Sequence, residues 1–244
     1  MMLGFIEYAQ DSTKLRLERE TKCGATFLVL DMGKSAQGMF SSRRAVRAAE
    51  RMRAHGVRRA VFPVDFPHTA AFLRAGIAPV DPMPLRHALG GRFVKKRLEK
   101  LGIANAQAVI AVSGETVNKT LARTVQELAA SYRYVLLSVR SGGEEFAAQM
   151  RRQYGVSLVL EPSADQMERA DALVLFAPRG DVGKENPVLC TLYPGGEERG
   201  RVPLVLDDAL ASVVASNCAH EQFAAALYSM GAVPAQRFLG EITC

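Results

Sequence analysis

The sequence predicts an α/β protein in which a Rossmann-like parallel-sheet domain is preceded by a smaller mixed α/β domain. From residue 106 onward, short apolar runs alternate with amphipathic helical segments, which is typical of a parallel sheet covered by helices. Before that point, residues 14–20 (KLRLERE) alternate charged and apolar side chains, as a half-exposed strand does. We therefore expect domains at about 1–104 and about 105–244.

The first domain is predicted to open with strands at 4–9, 14–20 and 26–31, the third in the interior of the sheet. The turn residues Asp11 and Ser12 would join the first two strands as a hairpin. A helix over Ser41–His55 ends at Gly56, since glycine readily takes the left-handed conformation that closes helices. The remaining elements are a strand (Arg59–Val64), a helix (His68–Ala75), a strand (Ile77–Val80) and a helix within Leu85–Leu101 that Gly90 and Gly91 are expected to break.

The second domain repeats strand and helix in a regular order. Capping boxes, Ser141 to Glu144 and Ser163 to Gln166, are expected to fix two helix starts. A glycine- and proline-rich loop spans 177–203, with a possible strand at 188–193 within it, and the C-terminal helix could return to pack on the first domain. Strands are predicted at 108–113, 134–139, 156–160, 171–176 and 203–206, and helices at 115–131, 143–154, 163–170, 207–217 and 220–230.

Composition excludes several classes of protein. No stretch approaches the roughly 20 apolar residues of a membrane helix, and the first residues lack the pattern of a secretory signal. The four cysteines lie far apart without a C-x-x-C pair, which argues against zinc ribbons and thioredoxin-like redox sites. A cytoplasmic protein with free thiols and no membrane association is expected.

Charge divides the chain unevenly. Residues 1–104 carry 19 basic and 9 acidic side chains, a net charge of +10, whereas residues 105–244 carry 12 and 16, a net charge of −4. Such asymmetry indicates either an anionic partner for the first half or docking of the two halves on each other.

Four candidate contacts for a cofactor follow the predicted strands of the second domain. In a parallel sheet the carboxyl ends of the strands share one edge, and ligands bind there. The loops 113–116, 140–143, 161–163 and 178–180 would meet at this edge. We expect the contacts from Ser113, Gly114, Arg140 and Ser141.

Residues 106–180 resemble the cofactor-binding half of NADP-dependent dehydrogenases of the shikimate dehydrogenase and glutamyl-tRNA reductase type. Asp171–Pro178 (DALVLFAP) is similar to their fourth strand and the loop after it. The resemblance implies NADP as cofactor, with Arg140 at its 2′-phosphate. The sequence departs from the G-x-G-x-x-G pattern, because Gly114 is followed by Glu115 and no further glycine before 142. A Rossmann-like scaffold without a cofactor is the alternative.

A second candidate anion site opens the helix at Ser41. It consists of Lys34, Ser41, Ser42, Arg43 and Arg44, since the free N–H groups of a helix start attract anions. Gly33-Lys34-Ser35 is not a phosphate loop, because Leu28 stands where the first glycine is required. Two basic stripes, Arg44/Arg47/Arg51 and Arg92/Lys96/Lys100, could follow phosphates, but no aromatic residue interleaves them, which disfavours nucleic-acid binding.

Two functional hypotheses remain open. In the first, the chain binds a phosphate-bearing small molecule such as NADP in the cleft between its domains. In the second, it is a non-catalytic interaction or regulatory protein whose basic half binds an acidic partner or nucleic acid. No motif assigns a reaction, a metal or catalytic residues, and the sequence leaves the oligomeric state undetermined.

Overall fold

The computed structural model describes residues 2–8, 15–33 and 41–240 of the 244-residue chain. These residues form two compact α/β units. The first contains the chain up to Leu85 together with Leu204–Gly240, and the second contains 86–203. The C-terminal helix thus belongs to the unit that the N-terminal strands begin, and the boundary falls in the first turn of the helix that starts at Met83. The predicted boundary near residue 104 lies after that helix.

The strands are β1 (Leu3–Glu7), β2 (Arg16–Lys22), β3 (Ala25–Asp31), β4 (Arg59–Val61), β5 (Ala78–Pro79), β6 (Val109–Thr116), β7 (Tyr134–Ser141), β8 (Val159–Leu160), β9 (Ala172–Leu175) and β10 (Val188–Thr191). The α-helices are α1 (Ser41–Ala54), α2 (Thr69–Arg74), α3 (Met83–Lys100), α4 (Lys119–Ala129), α5 (Gly143–Tyr154), α6 (Ala164–Glu168), α7 (Asp208–Ala211) and α8 (His220–Ser229). Short 3-10 helices lie at Glu198–Gly200 and Ala235–Phe238.

The sheet of the first unit has the order β2-β3-β1-β4-β5. All its pairings are parallel except that of β2 with β3, so the sheet is mixed, as predicted. Strand β3 lies in the interior, and its apolar residues are buried. Helix α1 covers the sheet with Ala45, Ala48, Ala49 and Met52, a spacing that places them on one helix face.

The predicted hairpin between the first two strands is wrong. Strand β1 pairs in parallel with β3, and the hairpin joins β2 to β3 through Cys23 and Gly24. Asp11 and Ser12 lie outside the described residues. The turn was hard to predict because Cys23, with φ 51°, occupies a left-handed conformation that usually selects glycine or asparagine.

Helix α8 supplies part of the core of the first unit. The ring of Phe223 contacts those of Phe5 in β1 and Phe27 in β3, at centroid distances of 5.7 and 5.9 Å. All three rings are fully or almost fully buried. The N-terminal strands therefore need the C-terminal helix to complete their core.

The second unit contains the predicted Rossmann-like sheet. Its order is β10-β9-β6-β7-β8, and every pairing is parallel. The first strand in the chain, β6, lies at the centre, so the sheet grows outward to both sides, as in doubly wound folds. The fifth strand is β10, which lies where the sequence analysis gave a possible strand within the long loop, at 188–193. The prediction of a strand at 203–206 is wrong, because Leu204 forms only an isolated bridge with Leu239.

Two predicted helix features differ from the structure, and a third is confirmed. Helix α3 runs without a break through Gly90 and Gly91, which lie against Leu192 and Glu127, so close packing explains this pair. The predicted cap at Ser141 is wrong, since Ser141 still pairs with Thr116 in the sheet and Gly142 precedes α5. The capping box from Ser163 to Gln166 is confirmed.

Among residues 2–8, 15–33 and 41–240, no helix has the length and apolarity required to cross a bilayer.

Candidate anion-binding site at the carboxyl ends of the second sheet

A cavity of about 490 Å³ lies at the carboxyl ends of β6, β7 and β9. The three strands are adjacent and parallel, so the residues that follow them meet at one edge. Three of the four predicted cofactor contacts line this cavity, namely Ser113, Gly114 and Arg140, and the fourth, Ser141, lines a neighbouring one. The lining residues are Ser113, Gly114, Glu115, Ser138, Val139, Arg140 and 177–181.

Gly114 is a packing residue of this edge. A Cβ at its position would lie 2.7 Å from Cδ1 of Leu121 in α4 and 3.3 Å from Cβ of Phe176 after β9. Real Cβ atoms do not approach carbon atoms as closely as the first of these distances, so a larger residue would have to displace the buried side chain of Leu121. Gly114 lets α4 pack closely on the sheet, as the last glycine of a dinucleotide loop does.

The start of α4 is capped by its own chain. Asn118 Oδ1 accepts the backbone N–H groups of Thr120 and Leu121, each at 3.0 Å. In dinucleotide-binding folds the corresponding amides contact the pyrophosphate. Moreover, β6 continues to Thr116 instead of turning into a glycine-rich loop. This position is therefore closed to a pyrophosphate as long as the Asn118 cap is in place.

Arg140, the predicted partner of a 2′-phosphate, lies on the surface at the end of β7. Its side chain is 82% exposed, and Nη1 lies 3.6 Å from Oε2 of Glu115, whose side chain is 60% exposed. Exposed ion pairs of this kind contribute little to stability. The guanidinium is consequently a cation that can turn toward a ligand at little cost.

Arg179, in the loop after β9, is the central cation of the cavity. Its Nη1 donates to the hydroxyl oxygens of Ser113 and Ser138, at 3.3 and 3.0 Å. Its Nε donates to Oδ1 of Asp181 at 2.9 Å, and its Nη2 donates to Oδ2 of the same carboxylate. One side chain thus connects the ends of β6 and β7 with the loop that follows β9.

The Arg179–Asp181 pair is also visible in the pKa values of its members. The hydrogen bond to Asp181 raises the pKa of Arg179, and the same bond lowers the pKa of Asp181 below its usual 3.8. Both groups are charged throughout the physiological range. The sequence analysis placed 178–180 at this edge but gave Arg179 no role. The feature that could have indicated its role is a cation directly after the end of a predicted strand.

The loop after Asp181 is anchored to α6. The Glu168 carboxylate accepts the backbone N–H groups of Gly183 and Glu185, and Asn186 Nδ2 donates to the carbonyl oxygens of Met167, Glu168 and Ala170. Partial burial opposes the charge of Glu168, yet these backbone N–H groups hold its pKa below the usual 4.5. The base of the loop is therefore fixed by hydrogen bonds to a charged carboxylate.

A second cavity, of about 240 Å³, lies beside the first, between the ends of β7 and β8 and the start of α5. Arg140 lines both cavities, and Ser141 lines this one. Three carboxylates, those of Glu144, Glu145 and Glu161, also line it. Together they oppose a phosphate group at the position where the dehydrogenase resemblance expects it.

The second predicted anion site lies in the first unit and is described only in part. Lys34 and the side chain of Ser41 lie outside the described residues. Ser42 and Arg43 are exposed at the start of α1, and Arg44 is half-buried. Across residues 2–8, 15–33 and 41–240, no group of His, Cys, Asp or Glu side chains is arranged to bind a metal ion.

Comparisons with known proteins give only distant similarities. No protein-family model and no curated protein matches the sequence. Among solved structures, L-tryptophan dehydrogenase from Nostoc punctiforme is 12% identical with a TM-score of 0.37, and the match covers 72% of this chain and 52% of that one. For Δ1-pyrroline-2-carboxylate reductase from Thermococcus litoralis the identity is 16%, the TM-score 0.32 and the coverage 46% and 36%.

A putative aspartate carbamoyltransferase from Trypanosoma cruzi is 12% identical with a TM-score of 0.33, and the match covers 98% of this chain and 83% of that one. The chain spans about half the length of the tryptophan dehydrogenase and about a third of the reductase. Identities and TM-scores this low do not transfer an activity. What the strand order and the cavity define is an α/β protein with a Rossmann-like unit.

Proposed function

We propose that the second unit binds a phosphate-bearing small molecule in the cavity at the carboxyl ends of β6, β7 and β9. The observation that supports this most directly is Arg179, whose guanidinium is held by Ser113 and Ser138 at the point where ligands of parallel sheets bind. Arginine recognises phosphate through pairs of parallel N–H···O bonds. Arg140 supplies a second, exposed cation at the same edge.

Within this proposal the predicted contacts have different tasks. Ser113 positions Arg179, and Gly114 allows α4 to pack close to the cavity floor. Arg140 lines both this cavity and its neighbour, and Ser141 lines the neighbouring cavity. NADP is the narrower candidate: the place of Arg140 after the second strand of the sheet supports it, whereas the Asn118 cap and the three carboxylates of the second cavity oppose it. The cleft between the domains stays a prediction.

Thermal unfolding of the purified protein tests the proposal. The probes are NADP, NAD, AMP and inorganic phosphate. A probe present at 100 times its dissociation constant should stabilise the protein by about 2.7 kcal/mol. Arg179→Lys should lose this effect, because lysine cannot form the bidentate contact. Arg169→Lys, in an exposed pair with Asp165 elsewhere in the unit, is the matched control.

Two results would contradict the proposal. One is the failure of all four probes to stabilise the protein at millimolar concentration, and the other is equal stabilisation of Arg179→Lys and the wild type. The NADP arm has its own readout, since Arg140→Ala should reduce the preference for NADP over NAD. An unchanged ratio of the two dissociation constants would remove Arg140 from the 2′-phosphate.

A second candidate function is binding of a polyanion by the first unit. Helix α1 presents Arg43, Arg47 and Arg51 to solvent, with Glu50 the exposed acidic residue among them. Binding of single-stranded DNA through these side chains should weaken steeply between 50 and 200 mM salt. Replacing all three with alanine should flatten that dependence. Retention on heparin that neither salt nor these substitutions change would argue against this candidate.

A further inference from the structure

We infer that the carboxylate of Asp181 occupies the place of the ligand's anionic group, and that this ligand carries a single terminal phosphate. The inference deepens the proposed function and rests on it. It assigns the Nε–Nη2 edge of Arg179 as the recognition surface and Asp181 as an internal competitor that the phosphate displaces.

The geometry of the pair supports this assignment. Nε and Nη2 of Arg179 each donate to a different oxygen of Asp181, which is the bidentate arrangement that guanidinium groups form with carboxylates and phosphates alike. Asp181 is only two residues from Arg179 in the chain, so the contact forms locally. An external phosphate can present two oxygens to the same edge.

Within the pair, Arg179 is held in place by other residues, whereas a ligand could replace Asp181. Two hydroxyl groups from different strands fix Nη1 of Arg179, whose side chain is 26% exposed. The side chain of Asp181 is 51% exposed, and apart from Arg179 its carboxylate is stabilised by its own backbone N–H. Loss of the ion pair therefore leaves the guanidinium in position.

The chain around Asp181 allows the carboxylate to move without disturbing the loop. A Cβ on the preceding residue, Gly180, would meet nothing within 4 Å, so there is open space beside it. Two residues after Asp181, the backbone of Gly183 is fixed by its hydrogen bond to Glu168. A rotation of the Asp181 side chain into solvent thus needs no rearrangement beyond that anchor.

Two neighbouring groups restrict the ligand to one terminal phosphate. Asn118 already uses two amides at the start of α4, which are the usual partners of a pyrophosphate. Glu115 lines the same cavity and repels a second phosphate that lies away from Arg179. The carboxylates of the adjacent cavity act in the same direction.

The test is isothermal titration of the full-length chain with inorganic phosphate, AMP and NADP. Asp181→Asn keeps the shape of the side chain but removes its charge, and should bind phosphate and AMP more tightly by up to about fivefold, the worth of an exposed ion pair. Asp165→Asn removes an exposed, arginine-paired carboxylate from α6 of the same unit and should leave affinity unchanged. Asp181→Ala repeats the test should the amide form a contact of its own.

The outcomes separate the two proposals. Wild-type binding that neither Asp181 variant strengthens, or that both weaken, would overturn the displacement inference and leave the proposed function standing. NADP binding more than tenfold tighter than AMP would overturn the single-phosphate class. Absence of binding to the wild type and to both Asp181 variants, each folded by circular dichroism, would overturn both proposals.

Discussion

The carboxylate of Glu168, at the end of α6, accepts the backbone N–H of Gly183 and thereby holds the loop that carries Arg179 and Asp181. A second amide, that of Glu185, donates to the other oxygen of the same carboxylate. The cation of the candidate site is therefore supported from two sides, by strand ends through Nη1 and by a helix through the base of the loop.

Replacing Glu168 with glutamine should lower the stability of the protein at neutral pH. Two hydrogen bonds to a charged acceptor are weakened, at a cost of about 1–3 kcal/mol. Because the folded state lowers the pKa of Glu168, its contribution is present above the usual value of 4.5 and is lost as the pH falls through the lowered folded value. Urea unfolding of both forms at several pH values measures this.

The stability difference between wild type and Glu168→Gln should be largest near pH 7 and shrink in acid. Glu127→Gln, at an exposed position in the interior of α4, is the control and should match the wild type. A difference that persists unchanged below the lowered pKa would show that the charge of Glu168 has no part in holding the loop.

Asn118→Ala should destabilise the second unit by about 1 kcal/mol, because the first amides of α4 lose their cap. The measurement is the midpoint of urea unfolding, with exposed Asn105→Ala as control. Equal midpoints for Asn118→Ala and the wild type would mean that water replaces the cap without cost.

Gly114→Ala should destabilise the protein by about 1–3 kcal/mol through overpacking against Leu121. Adding Leu121→Ala should cost less than the sum of the two single changes, since the smaller side chain removes the clash. Gly180→Ala, at a position with open space around it, serves as the control. Strict additivity in this cycle of variants would contradict the packing role of Gly114.

Gly90 and Gly91 should respond in opposite directions to alanine. Alanine favours a helix by up to about 1 kcal/mol over glycine. At Gly91 the neighbour is the carboxylate of exposed Glu127, which can move away, so Gly91→Ala should raise the thermal midpoint. At Gly90 the neighbour is Leu192, which is only 1% exposed, so Gly90→Ala should lower it. A rise for both would show that Leu192 adapts freely.

The sequence predicted strands most accurately where several consecutive residues are buried. Strands β6, β7 and β9 are apolar runs flanked by amphipathic helices, a pattern that few other arrangements satisfy. The pairing of β1 with β3 was not predictable in this way, because it depends on a contact between segments separated by another strand. Short runs such as 188–191 and 203–206 look alike in sequence, and only their neighbours decide which one joins the sheet.

The candidate site was predictable by location and less so by contact. The structure brings Ser113, Gly114 and Arg140 together at the edge where the rule for parallel sheets placed them. The role of Arg179 depends on Ser113 and Ser138, which are 66 and 41 residues away in the chain. No local pattern encodes such a contact, and the same is true of the bonds between Glu168 and the loop.

The two segments of the first unit are synthesised at different times, because residues 86–203 lie between them in the chain. Residues 86–203 are synthesised before α8. They can therefore form their sheet while the strands of the first unit still lack that helix. Until Phe223 arrives, Phe5 and Phe27 have no partner from the carboxyl-terminal segment, and their apolar surface is available to chaperones. A chain truncated after residue 203 should therefore carry one protease-resistant body, formed by residues 86–203, and one protease-sensitive amino-terminal segment.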